Sequence, residues 1–243
     1  MFGTRPRTWI TPTGDTWRGY VTMSQQTHML IAGMAGSGKS VAINGVLHAL
    51  LHYSPARVSL ILIDPKRVEL AQYKALPHVV QYASEPADMV QALDKAIRII
   101  DARYFDMARR GLRKWDGGHV YVIIDELADL MTTQRRAVLP LIQRICQIGR
   151  AACVHVIAAT QCPLAAVIPT QIKVNFDSVL ALHTRSAQDS RNIMGATGCE
   201  ALPRYGRGYF VRPEGVELVS IPMMPDEDID RLCQWWTGPE CRR

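Results

Sequence analysis

A glycine-rich segment, GMAGSGKS at residues 33–40, has the residue types needed to bind a polyphosphate. Its glycines let the backbone wrap around phosphates, so that successive N–H groups at the head of a helix point at the ligand. Lys39 then neutralises the β and γ phosphates, and the Ser40 hydroxyl binds the Mg²⁺ ion that bridges them. The predicted ATP-binding residues are Gly33, Met34, Ala35, Gly36, Ser37, Gly38, Lys39, Ser40 and Val41. A glycine-rich turn without a ligand is the structural alternative.

Two carboxylates, Asp125 and Glu126, directly follow the apolar run VYVII at residues 120–124. At the carboxyl ends of parallel strands, such side chains open onto the ligand crevice. We expect Asp125 to hold Mg²⁺ through its outer shell and Glu126 to polarise an attacking water, which favours hydrolysis over transfer to an acceptor hydroxyl. Taken by itself, an acid pair of this kind is also typical of the start of a surface helix.

Two further polar features are weaker candidates. Gln161 ends the run VHVIAAT and is placed to contact the γ-phosphate or the water, with a polar strand cap as the alternative. His48 and His52 share one helix face, as zinc ligands of metalloproteases do. The residues between them are Ala-Leu-Leu without the glutamate of that motif, so we do not expect a zinc site.

These candidate groups need a scaffold of alternating strands and helices. Continuous apolar runs predict buried strands at 29–32, 58–63, 120–124, 154–159 and 178–182, and apolar periodicity predicts helices at 40–52, 86–110 and 138–148. Residues 8–23 predict a short hairpin or strand; 208–212 and 216–221 predict a second hairpin, before a short helix ending at Trp235 and Trp236. The predicted fold class is α/β, a mostly parallel sheet with helices on both faces and short β elements near both ends.

The overall composition limits the kinds of binding partner and the cellular location that we expect. The 243 residues carry a formal charge of +6, which favours an anionic partner such as nucleic acid. Six cysteines form no C-x-x-C pair, so we expect neither disulfides nor a zinc site. No apolar run approaches the roughly 20 residues of a membrane helix, and the first residues lack the apolar core of a signal peptide. We therefore expect a cytoplasmic protein with no integral membrane segment.

Four segments occur in an order that resembles the motor domain of the FtsK and SpoIIIE DNA translocases: LIAGMAGSGKSVAINGVL, LILIDPKRVELAQYKALPHV, VYVIIDELADLM and GRAACVHVIAATQCP. The resemblance covers residues 27–210. It implies a RecA-like P-loop NTPase fold, a hexameric ring around double-stranded DNA, and translocation driven by ATP hydrolysis at subunit boundaries. We accordingly expect one motor domain over 1–243, with an N-terminal β extension (1–26), an ATPase core (27–221) and a C-terminal helix and tail (222–243).

The resemblance also assigns roles to single positions. Gln161 matches the family's sensor glutamine. Arg150, in GRAACVH, matches an arginine offered to the neighbouring subunit's nucleotide, where it would stabilise charge developing on the phosphates. A helix-end arginine bound to a carbonyl is the alternative. A second trans-acting basic residue of the family matches Ala187 here, with Arg185 nearby as a substitute.

DNA contacts are expected from two basic clusters that would grip phosphates without reading sequence. The first, in a loop just before the Asp-Glu strand, is Arg109, Arg110, Arg113 and Lys114; the second, after the LADLM segment, is Arg135 and Arg136. A solvated basic surface is the alternative for each. Compared with membrane-anchored translocases, we expect the chain to lack the transmembrane region, most of the domain before the motor and the C-terminal DNA-reading domain, and thus to be a nearly bare motor.

Two other functions stay open from the sequence. Related ring ATPases drive protein secretion in type VII systems, although they usually carry several motor copies in one chain. A module that binds nucleotide and recruits partners while hydrolysing slowly is the second alternative, against which the intact Lys39, Asp125, Glu126 and Arg150 argue. An unknown recruiting protein is a further partner that the sequence leaves open.

Overall fold

The structure is a computed structural model of the chain, and it describes residues 9–10, 16–17, 27–161 and 173–238. Two short strands, β1 (Trp9–Ile10) and β2 (Thr16–Trp17), pair antiparallel where the sequence predicts a hairpin or strand. The rest of the predicted N-terminal extension lies outside the described residues, as does the end of the predicted C-terminal tail.

One sheet of eight strands dominates the described part of the chain. In chain order its strands are β3 (His28–Ala32), β4 (Val58–Ile63), β5 (Val79–Ala83), β6 (His119–Ile124), β7 (Val154–Thr160), β8 (Ser178–Ala181), β9 (Arg207–Arg212) and β10 (Gly215–Ser220). Across the sheet they lie in the order β10-β9-β8-β3-β7-β6-β4-β5. The six strands from β8 to β5 run parallel, and β9 and β10 form an antiparallel hairpin at one side.

Helices cover both faces of this sheet. They are α1 (Lys39–Leu50), α2 (Pro86–Arg110), α3 (Leu127–Thr133), α4 (Arg135–Ile148), α5 (Ala187–Met194) and α6 (Asp226–Thr237). Alternate residues of β3 serve opposite cores: Leu30 packs with the apolar sides of α2 and α4, whereas Ile31 packs with those of α1 and α6. No helix in residues 27–161 or 173–238 is long and apolar enough to cross a bilayer.

The predicted fold class is confirmed, because every strand and helix expected from an apolar run is present. The sequence missed β5, which lies at the sheet's side and exposes part of its residues, so that its apolar pattern is interrupted. It also missed α3 and α5, of seven and eight residues, which are too short for helical periodicity to stand out.

The parallel strands give the sheet two unlike edges. We call the edge where the six parallel strands end the carboxyl edge, and the edge where they begin the amino edge. The glycine-rich segment follows β3 and Asp125 follows β6, so both lie at the carboxyl edge. Arg150 precedes β7 and therefore lies at the amino edge.

Candidate nucleotide site

The glycine-rich loop joins β3, in the middle of the sheet, to α1. Gly36 and Gly38 have left-handed φ angles of 71° and 92°, a conformation that other residues rarely adopt. A side chain at Gly33 would lie 2.6 Å from both Leu182 Cβ and Ser37 Oγ, so the loop could not accept one there. A turn of this kind at the head of a helix is the local structure that can offer backbone N–H groups to a phosphate.

Lys39 is anchored beside the loop by Asp125. Its ammonium donates to the backbone carbonyl of Asp125 at 2.8 Å and to the carboxylate oxygen Oδ1. The two side chains are only 4% and 0% exposed, so this ion pair is withdrawn from water. A buried charge whose partner leaves is strongly destabilising. An incoming polyphosphate would supply replacement negative charge for Lys39.

The same carboxylate fits a magnesium ion. Asp125 Oδ2 is buried and makes no hydrogen bond among the described residues, although buried polar atoms are nearly always paired. Within residues 27–161 and 173–238, no three His, Cys, Asp or Glu side chains cluster to hold a metal by themselves. A magnesium ion bound at Ser40 and Asp125 would therefore take phosphate oxygens and water as its other ligands, which is its usual coordination in nucleotide sites.

Glu126 is held at the start of α3. It is 2% exposed, and its carboxylate accepts hydrogen bonds from the backbone N–H of Ala128 at 3.3 Å and of Gln161 at 3.1 Å. The Lys66 ammonium lies 3.7 Å from Glu126 Oε2. The structure thus brings Glu126 and Gln161 together through the main chain of Gln161, and it leaves the side-chain amide of Gln161 out of this contact.

Two residues at this edge were missed by the sequence analysis as functional candidates: Glu69, whose carboxylate oxygen Oε1 accepts the Ser40 hydroxyl at 2.6 Å, and Lys66. Both belong to the run DPKRVEL that follows β4, and β4 pairs in parallel with β6. The rule that singled out Asp125, charged residues directly after a buried parallel strand, reaches Lys66, three residues beyond β4, but not Glu69, six residues beyond it.

Arg204 is a third missed residue. Its guanidinium lies over the glycine-rich loop, with Nη2 3.2 Å from the position that a Cβ at Gly36 would take. The side chain is exposed, and its guanidinium also lies over the Tyr205 ring, 5.8 Å from the ring centroid. It adds positive charge beside the loop from within the same chain.

Arg150 lies far from the glycine-rich loop of its own chain. The seven residues of β7 separate it from the carboxyl edge, a span of roughly 20 Å at the rise of a β-strand. Its side chain is exposed at the end of α4. This placement is incompatible with contact to its own nucleotide. It suits the predicted role toward a neighbouring subunit, which no contact in this single chain tests.

The first basic cluster is not wholly a loop, which corrects the prediction from sequence. Arg109 and Arg110 form the last turn of α2, because its apolar periodicity continues to Arg110; only Arg113 and Lys114 lie in the loop before β6. Arg110 is paired with Asp106 at 3.1 Å and with Asp116 at 2.5 Å. Hydrogen bonds from Arg110, first to Asp116, raise the pKa of the guanidinium.

The second basic cluster lies elsewhere. Arg135 and Arg136 are exposed in the first turn of α4, and α4 leads back to the start of β7, so this turn lies toward the carboxyl edge. The loop that holds Arg113 and Lys114 lies at the amino edge. The two clusters therefore do not form one continuous basic surface. Ala187 begins α5, and the exposed Arg185 precedes it on the carboxyl side of β8.

Comparisons with solved structures identify the fold. The pCW3 conjugation coupling protein TcpA, in its monomer form with ATPγS, superposes with a TM-score of 0.79 at 21% identity, covering 94% of this chain and 68% of that one. The cytoplasmic domain of the Type VII secretion ATPase EccC from Thermomonospora curvata gives a TM-score of 0.73 at 20% identity, covering 96% and 31%. At these identities the likeness shows the P-loop NTPase fold alone.

Sequence comparisons identify the family. The model of the FtsK/SpoIIIE family matches residues 15–120 and 118–165. DNA translocase FtsK of Brucella melitensis is 33% identical over 87% of this chain and 32% of its own length, and that of Staphylococcus epidermidis is 39% identical over 79% and 27%. The chain spans about a third of the length of these curated relatives. Its matched residues include the loop, the acid pair and Arg150, and the chain belongs to the FtsK/SpoIIIE family of P-loop ATPases.

Proposed function

We propose that this chain is the motor of a double-stranded DNA translocase that binds ATP with Mg²⁺ and hydrolyses it at the boundaries of a homo-oligomeric, hexameric ring. One observation carries the proposal: the loop, Lys39, Asp125 and Glu126 lie together at the carboxyl edge, while Arg150 lies at the opposite edge. A site divided in this way is completed when the amino edge of one subunit meets the carboxyl edge of the next.

The chemistry follows from the placement of each group. The backbone N–H groups of the loop bind the phosphates, and Lys39 turns from Asp125 to the β and γ phosphates. Ser40 and Asp125 would hold Mg²⁺, which would supply positive charge against those phosphates. Glu126 orients the attacking water and accepts its proton as the bond from the water oxygen to the γ-phosphorus forms. The bond between the γ-phosphorus and the bridging oxygen breaks, and ADP leaves with that oxygen. Arg150 of the neighbouring subunit stabilises the charge that develops on the transferred phosphoryl group.

Gln161 is suited to report the state of Glu126. Its backbone N–H donates to the Glu126 carboxylate at 3.1 Å. A shift of Glu126 toward a bound water would therefore pull on the main chain of Gln161. This contact supports the sensor role through the main chain.

DNA is the proposed cargo because the curated relatives are named DNA translocases and because the chain is basic. Arg109, Arg113 and Lys114 are exposed at the amino edge, whereas Arg110 is already neutralised by two carboxylates. Lysine and arginine contacts to phosphates release counterions, so DNA binding should weaken steeply with salt. Protein export is the second candidate, since the EccC secretion ATPase shares the fold.

The test is the ATPase rate against protein concentration, with and without long double-stranded DNA, at low and moderate salt, with Glu126→Gln as the blank. A rate that rises cooperatively with protein and increases on adding DNA supports a ring motor on DNA. A rate indifferent to DNA favours export, and a slow rate indifferent to protein concentration favours a regulatory module. Sedimentation under the same conditions measures the number of subunits.

A paired variant locates the DNA contact. The double variant Arg113→Ala/Lys114→Ala should lower the ratio of the DNA-stimulated rate to the basal rate. The basal rate is measured alongside, because this loop lies beside Arg150: the Trp115 N–H donates to the Ala151 carbonyl at 2.8 Å. Arg144→Ala is the matched control, since Arg144 is also exposed but pairs with Asp101 at 3.4 Å. Equal stimulation in all three proteins would remove this loop from the DNA interface.

A further inference from the structure

The turn at residues 64–70, which we call the DPK turn, reaches the nucleotide site from β4. The last residues of β4 and β6, Ile63 and Ile124, are paired in register, so the turn begins beside Asp125. Asp64 is fully buried and fixes the turn by accepting the backbone N–H of Leu70 at 3.0 Å. This anchoring holds the far end of the turn against α1.

The DPK turn is held in a conformation that costs energy. Arg67 has a φ angle of 58°, in the left-handed region that residues other than glycine rarely adopt. Such strain persists only where the surrounding structure imposes it, and it is common at functional sites. Here the surrounding structure places Glu69 against the first turn of α1, where its Oε1 accepts the Ser40 hydroxyl at 2.6 Å.

Ser40 is the hydroxyl expected to bind Mg²⁺, so the carboxylate of Glu69 lies at the edge of the predicted metal shell. In octahedral magnesium coordination at about 2.0–2.1 Å, neighbouring ligand oxygens are about 2.9 Å apart. The separation of Ser40 Oγ and Glu69 Oε1, 2.6 Å, is close to that spacing. Among the described residues Glu69 forms no ion pair, so its charge is not used by a side chain of the protein.

A second, independent observation points to a cation at this edge. Asp125 is 0% exposed, and its Oδ2 has no hydrogen-bond partner among the described residues. Its other oxygen is taken by Lys39, which would turn to the phosphates when nucleotide binds. A carboxylate left in that state, buried and without its ammonium, requires another positive charge.

We propose that Glu69 is a further residue of the magnesium site, a carboxylate that holds the ion or its bound water together with Ser40 and Asp125. The inference rests on the proposed nucleotide site and adds a ligand to it. Mg²⁺ is usually held by one or two carboxylates plus substrate phosphates, and Glu69 is the second carboxylate. The DPK turn thereby ties the strand beside the acid pair to the ion.

The opposite role would also explain the contact. Glu69 would then hold the Ser40 hydroxyl away from Mg²⁺, and binding the ion would have to break this hydrogen bond. The two roles predict changes of opposite sign when the carboxylate is removed, because a ligand helps the ion to bind and a competitor hinders it.

The experiment measures the Mg²⁺ concentration at which a fluorescent, non-hydrolysable ATP analogue reaches half of its Mg²⁺-dependent gain in affinity. Glu69→Gln keeps the size of the side chain and should raise that concentration about 10- to 100-fold, the usual effect of losing a partner of a bound metal. Glu85→Gln is the matched control; Glu85 follows β5 and pairs with Arg67, and its variant should titrate as the wild type does. Ser40→Ala should raise the concentration as well.

Glu69→Asp guards against a folding defect, because it keeps the charge and should need an intermediate Mg²⁺ concentration. Affinity for the analogue in EDTA should be equal in all variants that fold. An unchanged or lowered Mg²⁺ requirement in Glu69→Gln overturns the proposal, the lowered value by establishing the competing role. If the wild-type protein binds the Mg²⁺–nucleotide complex but DNA does not raise its ATPase rate, the proposed translocase function is contradicted and this inference about Glu69 still stands.

Discussion

The two edges of the central sheet bury different chemistry. At the carboxyl edge, Lys39, Asp125 and Glu126 are each at most 4% exposed, so charged groups are withdrawn from water there. At the amino edge the buried polar residues include His28 and His155, and burial lowers their pKa values to about 4 and about 3. These imidazoles are neutral at physiological pH. The charge of the amino edge is instead exposed, at Arg150.

This difference separates a binding edge from a supporting one. Buried charges are costly unless they are paired, so those at the carboxyl edge are consistent with a site that gains a charged ligand. The neutral histidines make a hydrogen-bonded floor: a ring nitrogen of His155 bonds the Thr27 carbonyl at 3.0 Å, and the His28 ring lies against Gly149. Gly149 precedes Arg150, so this floor supports the arginine that we assign to the neighbouring subunit's nucleotide.

Removing Arg150 should have the largest effect on ATP turnover. The two edges should then differ: turnover needs Arg150 of the amino edge, whereas ATP binding needs only the loop at the carboxyl edge. Arg150→Ala should lower kcat for ATP about 10³-fold or more, the range for arginines that act across an interface. ATP affinity should stay unchanged, since Arg150 lies roughly 20 Å from its own loop. Single-turnover hydrolysis and binding of a fluorescent analogue measure the two quantities. Lower affinity with normal kcat would contradict a role in the transition state.

Arg204 is the matched control for this prediction, since it is an exposed arginine that lies on the loop of its own chain. Mixing Arg150→Ala subunits with Lys39→Ala subunits should restore part of the activity, because an intact arginine then faces an intact loop in some pairs. Mixing Arg204→Ala with Lys39→Ala should restore none. Equal behaviour of the two mixtures would place Arg150 in cis.

Glu126→Gln should have the next largest effect. It removes the proton acceptor and keeps the hydrogen bonds that the side-chain oxygen accepts from Ala128 and Gln161, so the backbone around it should hold. We expect hydrolysis to slow about 10²- to 10⁴-fold while ATP binding persists. Quenched-flow hydrolysis and equilibrium binding provide the comparison. A wild-type rate would show that another group activates the water.

Breaking the buried ion pair of Lys39 and Asp125 should lower the free energy of unfolding, and we rank this effect below the two losses of turnover. Lys39→Met leaves Asp125 buried without its ammonium, and loss of one partner from a buried pair costs about 3–5 kcal/mol. Adding Asp125→Asn removes the stranded charge and should recover most of that free energy of unfolding, without recovering nucleotide binding. Urea unfolding of the two proteins makes the comparison. Equal stability of both would mean that Asp125 is not stranded in Lys39→Met.

The carboxyl edge could be predicted from sequence far better than the amino edge. Continuous apolar runs located β3 and β6, and residues directly after such strands must lie at one edge, so the loop and Asp125 were predictable together. The same rule was not applied to Glu69, which lies six residues beyond β4 and reaches Ser40 only through the left-handed turn at Arg67. No periodicity in the sequence reveals that turn.

The features of the amino edge were harder to predict, because they depend on contacts between residues that are far apart in the sequence. Arg150 was assigned through a family resemblance, and its distance from its own loop became measurable only with β7 in place. Arg109 and Arg110 were expected in a loop, although the apolar spacing itself predicted a helix over 86–110, and α2 does continue through both residues. The two neutral histidines come together from β3 and β7, which no spacing along the chain could indicate.

The buried histidines His28 and His155 should make the free energy of unfolding fall at acidic pH. This is the smallest of the predicted effects. In the unfolded chain His155 and His28 take up protons near pH 6.5, whereas in the fold their lowered pKa values, set mainly by burial, keep them neutral. The unfolded state therefore binds more protons between about pH 6.5 and 4. Stability should fall as pH drops through that window, by about 1.4 kcal/mol per pH unit for each such site. His155→Gln should flatten this slope by one proton, measured by urea unfolding at pH 7.5 and 5.5. Equal slopes in the wild type and in His155→Gln would mean that His155 is not held neutral, and the contrast between the two edges would fail there.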